Sequence, residues 1–226
     1  PEMHIGLIGG IGPAATDFYY RGLIDRHTRA GTVLDLTIAH ADARQMTGNL
    51  ALKDTKAQAE IFARLIHRMA AAGAEAAAVT SMGGHFCARD LEAISPLPLI
   101  NAIPAVNEAL RARGLKRIGI IGTRNVMESG LYGGITSVEV IRPEGEKLGQ
   151  VHDAYVAMAV PGHVTEAQRS LFFKIGAELC RNHGAEAVVL GGTDLFLAFA
   201  GHDPGFPVID CADIHVDAIY ARSVGR

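Results

Sequence analysis

HIGLIGGIGP at residues 4–13 returns as RIGIIGTRNV at 117–126, an offset of 113. GAEAAAVTS at 73–81 returns as GAEAVVLGG at 184–192, an offset of 111, and PLIN at 98–101 returns as PVID at 207–210, an offset of 109. Three matches in one order at a nearly constant offset point to a duplication, and half of this 226-residue chain is 113. Each repeated segment carries a short, continuous apolar run. That is how strands buried on both faces of a parallel sheet read.

Working outward, the candidate strands are Ile5–Gly9, Val33–His40, Ala76–Thr80, Leu99–Asn101, Arg117–Ile121, Val138–Ile141, Ala187–Gly191 and Val208–Asp210. Helical spacing separates them. Ala59, Phe62, Leu65, Ile66 and Met69 mark one helix over 55–72, and Leu171, Phe172, Ile175 and Leu179 another over 165–182. Gly73 and Gly184 follow as C-terminal punctuation. Strand and helix in alternation predict an α/β fold of two pseudo-symmetric lobes, each a mainly parallel sheet flanked by helices. The expected division is 1–98 plus 208–226 for the first lobe and 99–207 for the second. Ligands of open parallel sheets bind beyond the carboxyl ends of strands, so the active-site cleft is expected between the lobes.

Composition removes several function classes. Lys plus Arg number 21 and Asp plus Glu 24, a net charge of −3. That balance gives no electrostatic footprint for nucleic acid or an anionic membrane. Three cysteines are too few and odd in number for a disulfide framework, which fits a reducing cytoplasm. The longest apolar stretch, 74–82, contains Glu75 and is far short of the roughly 20 residues of a membrane span. The first strand opens almost at once, with no basic and apolar leader ahead of it, so no signal peptide is expected. His152-Asp153 and His202-Asp203 are sequential pairs without a further ligand at metal spacing, so no metal is expected.

The loop Gly9-Gly10-Ile11-Gly12-Pro13-Ala14-Ala15-Thr16 follows the first strand and opens a helix. Gly10-x-Gly12-x-x-Ala15 formally matches a dinucleotide fingerprint. No acidic residue sits cleanly at the end of the second strand to hold a ribose: Asp35 opens that strand and Asp42 lies past it. Three readings stand at this point: a tight strand-to-helix turn, a turn whose N–H groups face a carboxylate, and a dinucleotide site.

These segments resemble the aspartate/glutamate racemase superfamily, specifically its aspartate racemase branch. IGLIGGIGPAAT (5–16) resembles the family's first strand and glycine loop. Thr80-Ser81-Met82-Gly83-Gly84-His85 sits where the family has Pro-Cys-Asn-Thr-Ala-His, and Leu190-Gly191-Gly192-Thr193-Asp194-Leu195 where it has Gly-Cys-Thr-Glu-Leu. Ile120–Thr123 with Ser129–Tyr132, and Asp210–His215, resemble its mid-chain and final segments. The resemblance implies a cofactor-independent homodimer that acts on a small carboxylate or amino acid by proton transfer at the α-carbon. Two cysteines, one per lobe, alternate there as thiolate base and thiol acid.

Here the chain departs from its pattern. The first cysteine position is Ser81 and the second is Gly192, and the internal repeat pairs the same two residues. A serine hydroxyl is a poor acid and base unless a neighbour activates it. His85, at the family's histidine position, is a candidate to polarise Ser81 or a substrate carboxylate, or else a helix-start residue making a structural hydrogen bond, and Cys211, directly after a strand, is a candidate acid/base. Cys87 and Cys180 read as packing. Gly10, Gly12, Arg44, Met82, Gly83, Thr123, Gly192, Thr193 and Asp194 are the expected substrate-binding positions, Asp194 being equally readable as a helix cap. The family's substrate-binding lysine has no clean match: Lys147 is nearby, and a gap-free alignment lands on Gly149. Lyase or decarboxylase chemistry on the same fold, or carboxylate binding without catalysis, are the alternatives.

Overall fold

The computed structural model describes residues 2–226. The chain divides into two units, 1–102 with 215–226, and 103–214. In the first unit, β1 (Ile5–Gly9) leads to α1 (Pro13–Ala30), β2 (Leu36–His40), α2 (Ala43–Ala51), α3 (Thr55–Ala71) and β3 (Ala76–Val79). A 3-10 turn (Gly83–Cys87) and α4 (Ala88–Ile94) follow. The strands form a parallel sheet in the order β2-β1-β3. Leu99 adds one parallel bridge to Ala77.

The second unit follows the same plan. After α5 (Ala102–Ala112) come β4 (Arg117–Ile121), α6 (Arg124–Ser129), β5 (Glu139–Ile141), α7 (Glu146–Ala159), α8 (Glu166–His183) and β6 (Val188–Leu190). A second 3-10 turn (Thr193–Leu195), α9 (Phe196–Phe199), β7 (Val208–Asp210) and α10 (Cys211–Ser223) complete the chain. The parallel sheet runs β5-β4-β6-β7. The registers repeat as well: Ile8 pairs with Val79 in one sheet, Ile121 with Leu190 in the other.

Each central strand is buried against a helix. Gly6 of β1 leaves room for Met69 of α3, whose Sδ would lie 2.9 Å from an added Cβ. Gly119 of β4 does the same for Leu179 of α8, again at 2.9 Å. Helix α3 turns Ala59, Phe62, Leu65, Ile66 and Met69 inward, and full burial of a side chain such as Phe62 contributes roughly 1.5–3 kcal/mol. Helix α8 opens on a capping box, Thr165 Oγ1 accepting from Gln168 N at 3.1 Å and Gln168 Oε1 from Thr165 N at 2.8 Å. It closes on Gly184 in the left-handed region.

The differences from the sequence reading are local. Val33 lies outside β2 and is exposed, the strand starting at Leu36. Leu99–Asn101 makes a single bridge rather than a strand. The division also moves. β7 is hydrogen-bonded along β6, so 208–214 belong to the second unit rather than the first, while Leu99 stays with Ala77 in the first. Among the described residues no helix is long and apolar enough to cross a membrane.

Candidate functional site

In the first unit the residues of interest gather where β1 and β3 end. Gly10 and Gly12 have φ near +90°, a region that L side chains rarely adopt. A Cβ on Gly10 would also lie 2.7 Å from the Ala41 carbonyl oxygen. Thr16 folds the loop onto α1: its hydroxyl accepts from Gly10 N at 2.8 Å and donates to the Gly12 carbonyl at 3.2 Å. Helix α1 itself opens on Pro13 without a side-chain cap.

Beyond β3, Thr80 ties the strand end down by donating to the Ile8 carbonyl at 2.8 Å. Ser81 is 8% exposed and its hydroxyl oxygen accepts from Gly84 N at 3.0 Å, which caps the 3-10 turn. Gly83 lies beside that hydroxyl, with Met46 of α2 next to it. Met82 points into the core at 1% exposure.

His85 does not polarise the Ser81 hydroxyl. Ala102 N donates to its Nε2 at 3.1 Å, so the ring proton sits on Nδ1, which donates to the Ser81 carbonyl at 2.6 Å. Both nitrogens are thus committed to backbone. Burial pushes His85 down to about 4, so the ring is neutral at physiological pH. A second buried histidine stands against it: the His85 and His215 ring centroids are 5.3 Å apart. His215 Nε2 donates to the Ile100 carbonyl at 2.6 Å and its Nδ1 accepts from the Tyr19 hydroxyl at 2.7 Å. Burial, then the neighbouring His85, push His215 down to about 3. The result is a satisfied, uncharged network that pins the turn in place.

Two other candidates stand elsewhere. Arg44 projects from the first turn of α2 with 94% of its side chain exposed, loosely paired with Asp42 at 3.7 Å. Cys211 is fully buried, and burial, with Asp210 beside it, raises its thiol far above the ordinary range. It is held as a neutral thiol, not placed at an open strand mouth, because α10 begins on it and turns it into the core. Cys87 is buried too, its thiol pushed up to about 12.

In the second unit the corresponding strand ends are glycine-lined. Gly191 N donates to the Ile121 carbonyl at 2.8 Å, and an added Cβ at Gly191 would meet that same oxygen at 3.2 Å. Thr123 caps α6, its hydroxyl facing Val126 N at 3.5 Å. Gly192 has ordinary extended backbone, φ −140° and ψ 133°, so its conformation does not require glycine. Its surroundings do. A Cβ there would lie 2.5 Å from Tyr155 Oη and 2.6 Å from Cζ.

Tyr155 comes from α7 and is 8% exposed. Its hydroxyl donates to Asp194 Oδ2 at 2.8 Å. Burial, then the Asp194 charge, raise the phenol well above its usual value, and burial raises Asp194 while the bond from Tyr155 opposes it. Asp194 Oδ1 and Thr193 Oγ1, neighbours on the 3-10 turn, are buried without a hydrogen-bond partner among the described residues. A buried polar atom left unpaired costs about 1–3 kcal/mol, so these two adjacent ones leave hydrogen-bonding capacity unused on this turn.

Sequence reasoning missed three residues. Tyr155 reads locally as one more core position of α7, with Leu148, Val151 and Met158. Asp210, at the end of β7 opposite Leu190, is pushed up to about 7 by burial and then by Asp213; its pairing with Asn101 in the repeat was the available signal. Arg124 faces Gly149, its Nη2 3.4 Å from an added Cβ, and pairs with Glu128 at 3.1 Å. Lys147 instead bonds Glu178 at 2.8 Å.

A model of the Asp/Glu/hydantoin racemase family matches residues 8–219. Among solved structures, a Yersinia pestis protein named provisionally as an Asp/Glu racemase superposes with a TM-score of 0.85 at 26% identity, covering 98% of this chain and 99% of that one. An aspartate racemase homologue from Pyrococcus horikoshii OT3 gives 0.79 at 24% identity, over 97% and 99%. Glutamate racemase from Francisella tularensis, in complex with D-glutamate, gives 0.66 at 14% identity, over 97% and 80%.

Proposed function

Because the chain belongs to the Asp/Glu/hydantoin racemase family, we propose that it moves a proton at the α-carbon of a small carboxylic or amino acid, as an isomerase working with its own side chains. The observation that carries this reading is the pair of unpartnered buried atoms, Thr193 Oγ1 and Asp194 Oδ1, at the end of a central strand. An amino acid offers the matching groups: an ammonium for the carboxylate oxygen and a carboxylate for the threonine hydroxyl. Gly10, Gly12, Gly83, Thr123 and Gly192 shape the strand ends in this reading, Met82 being core instead, and Arg124, rather than the solvent-facing Arg44, supplies positive charge. Ser81 carries a proton at the first of the two positions paired by the repeat. A homodimer in the cytoplasm is part of the same proposal.

Racemisation takes the α-proton from one face of the carbon and returns one to the other, so solvent deuterium enters at Cα in each turnover. The test is a panel of amino and carboxylic acids in deuterium oxide, read by NMR. Exchange with inversion supports the isomerase. A new product without α-exchange indicates a lyase, and a ligand-induced rise in Tm with no exchange or turnover leaves only a carboxylate-binding protein. Ser81→Ala is expected to lower exchange by about 100-fold or more; an unchanged rate removes Ser81 from the reaction.

A further inference from the structure

A side chain is missing at Gly192, yet the space beside it is filled. The repeat pairs Gly192 with Ser81, so the duplicated plan has a side chain at this place in one unit and none in the other. The backbone at Gly192 would accept any residue. What excludes a side chain is Tyr155, whose Oη and Cζ would come within 2.6 Å of its Cβ.

We propose that Tyr155, bonded to Asp194, is the proton-carrying group of the second unit and stands in for the side chain absent at 192. The proposal rests on the isomerase reading above. Three observations support it. The phenol oxygen, not just the ring, occupies the space next to the Gly192 Cα. Its hydrogen already points to a carboxylate, at 2.8 Å, so a proton arriving on Oη has somewhere to send the one it displaces. The unpartnered Thr193 Oγ1 and Asp194 Oδ1 lie on the same turn, where a substrate would dock.

The step balances within these groups. The α C–H bond breaks and its proton forms an O–H bond to Tyr155 Oη. The original phenol proton passes to Asp194 Oδ2, and the electron pair stays on Cα, delocalised into the substrate carboxylate. A solvent proton delivered to the opposite face of Cα completes the inversion, and Asp194 releases its extra proton to water. Burial keeps the phenol protonated in the resting state, so the pair takes up the α-proton only by passing the phenol's own proton to Asp194.

Tyr155→Phe keeps the ring and removes the hydroxyl. It is expected to lower α-deuterium exchange by about 100-fold or more and to lower Tm through the lost bond to Asp194, while the amino-acid-induced thermal shift stays close to the parent's. Gly192→Cys alone is expected to unfold at a lower temperature because of the overlap. Tyr155→Ala with Gly192→Cys is expected to recover part of the exchange, which a merely structural tyrosine would not allow. Parent-like exchange in Tyr155→Phe overturns the proposal and leaves the isomerase reading intact. A Gly192→Cys protein as stable as the parent overturns it as well, since Tyr155 would not then occupy that space. A parent protein that exchanges no acid in the panel overturns both.

Discussion

In the first unit, the turn after β3 holds Ser81 and His85, with both His85 nitrogens bonded to backbone and the Ser81 hydroxyl oxygen taken by Gly84 N. In the second, the turn after β6 holds Thr193 and Asp194, with one oxygen of each buried and unpartnered. Both turns leave a central sheet at the same register and enter a 3-10 helix. The scaffold was kept through duplication while the polar inventory was not. A fully bonded buried network rigidifies its surroundings, whereas unpaired groups await a partner. Resemblance of position is therefore weak evidence for resemblance of role: His85 occupies a catalytic-looking place and serves as a brace.

The comparison breaks most readily at His85. Replacing it by Ala leaves the Ser81 carbonyl and Ala102 N–H unpaired and opens a cavity beside His215. A loss of about 3–5 kcal/mol is expected in urea unfolding. A His85→Ala protein of parental stability that no longer exchanges substrate protons would reverse the assignment and make the ring a catalytic group.

The two units are also expected to answer pH in opposite directions. His85 and His215 titrate in the folded chain at about 4 and about 3, below their ordinary value of 6.5. The unfolded chain takes up protons first, so the first unit's stability is intact above pH 6.5 and is lost as pH falls towards 4 and below, by up to about 1.4 kcal/mol per pH unit for each ring. Asp210 runs the other way. Its folded value of about 7 stands above the ordinary 3.8, so its contribution is intact below pH 4 and is lost as pH rises to 7. Asp210→Asn keeps the acceptor for Ala212 N and removes the buried charge, which should stabilise the second unit at pH 8 by about 1–2 kcal/mol. Amide hydrogen exchange resolved by unit across pH 4–8 measures both slopes. Parallel slopes in the two units would sink this expectation.

The smallest effect separates two glycines at equivalent places. Gly6→Ala presses on the thioether of Met69, and Gly119→Ala on the branched Leu179. A flexible thioether yields more readily, so Gly119→Ala is expected to cost about 1–3 kcal/mol and Gly6→Ala less. Equal costs in denaturant titrations would show the two helix–strand contacts to be equally compliant.

The fold was largely legible because its signals are local. β1, β4 and β7 have the expected bounds, and the helices over 55–71 and 166–183 show their buried faces at helical spacing. The errors fall where exposure or pairing decides. Val33 is apolar yet exposed, and Leu99 has β-like neighbours but makes only one bridge. The site was legible by position and not by role. Gly192 reads as a deletion of function until Tyr155, 37 places earlier in the chain, is found against it. Nothing in the local pattern of α7 marks that hydroxyl, because its meaning depends on a contact across the fold. Of the readings open for His85, the structural hydrogen bond is the one seen, and Cys211 is turned into the core: spacing places a residue at a strand end but does not say which way its ring or thiol turns.

The first unit is discontinuous, and this bears on how the chain emerges from the ribosome. Its last segment, 215–226, brings His215 to Tyr19 and Ile100, and Ser223, whose carbonyl accepts from Met3 N at 2.7 Å. The second unit, 103–214, is therefore synthesised in full before the first has all its parts. The first unit is thus completed after the second, and until then its strands and helices lack the segment that joins them to His215 and Ser223 and stand open to aggregation.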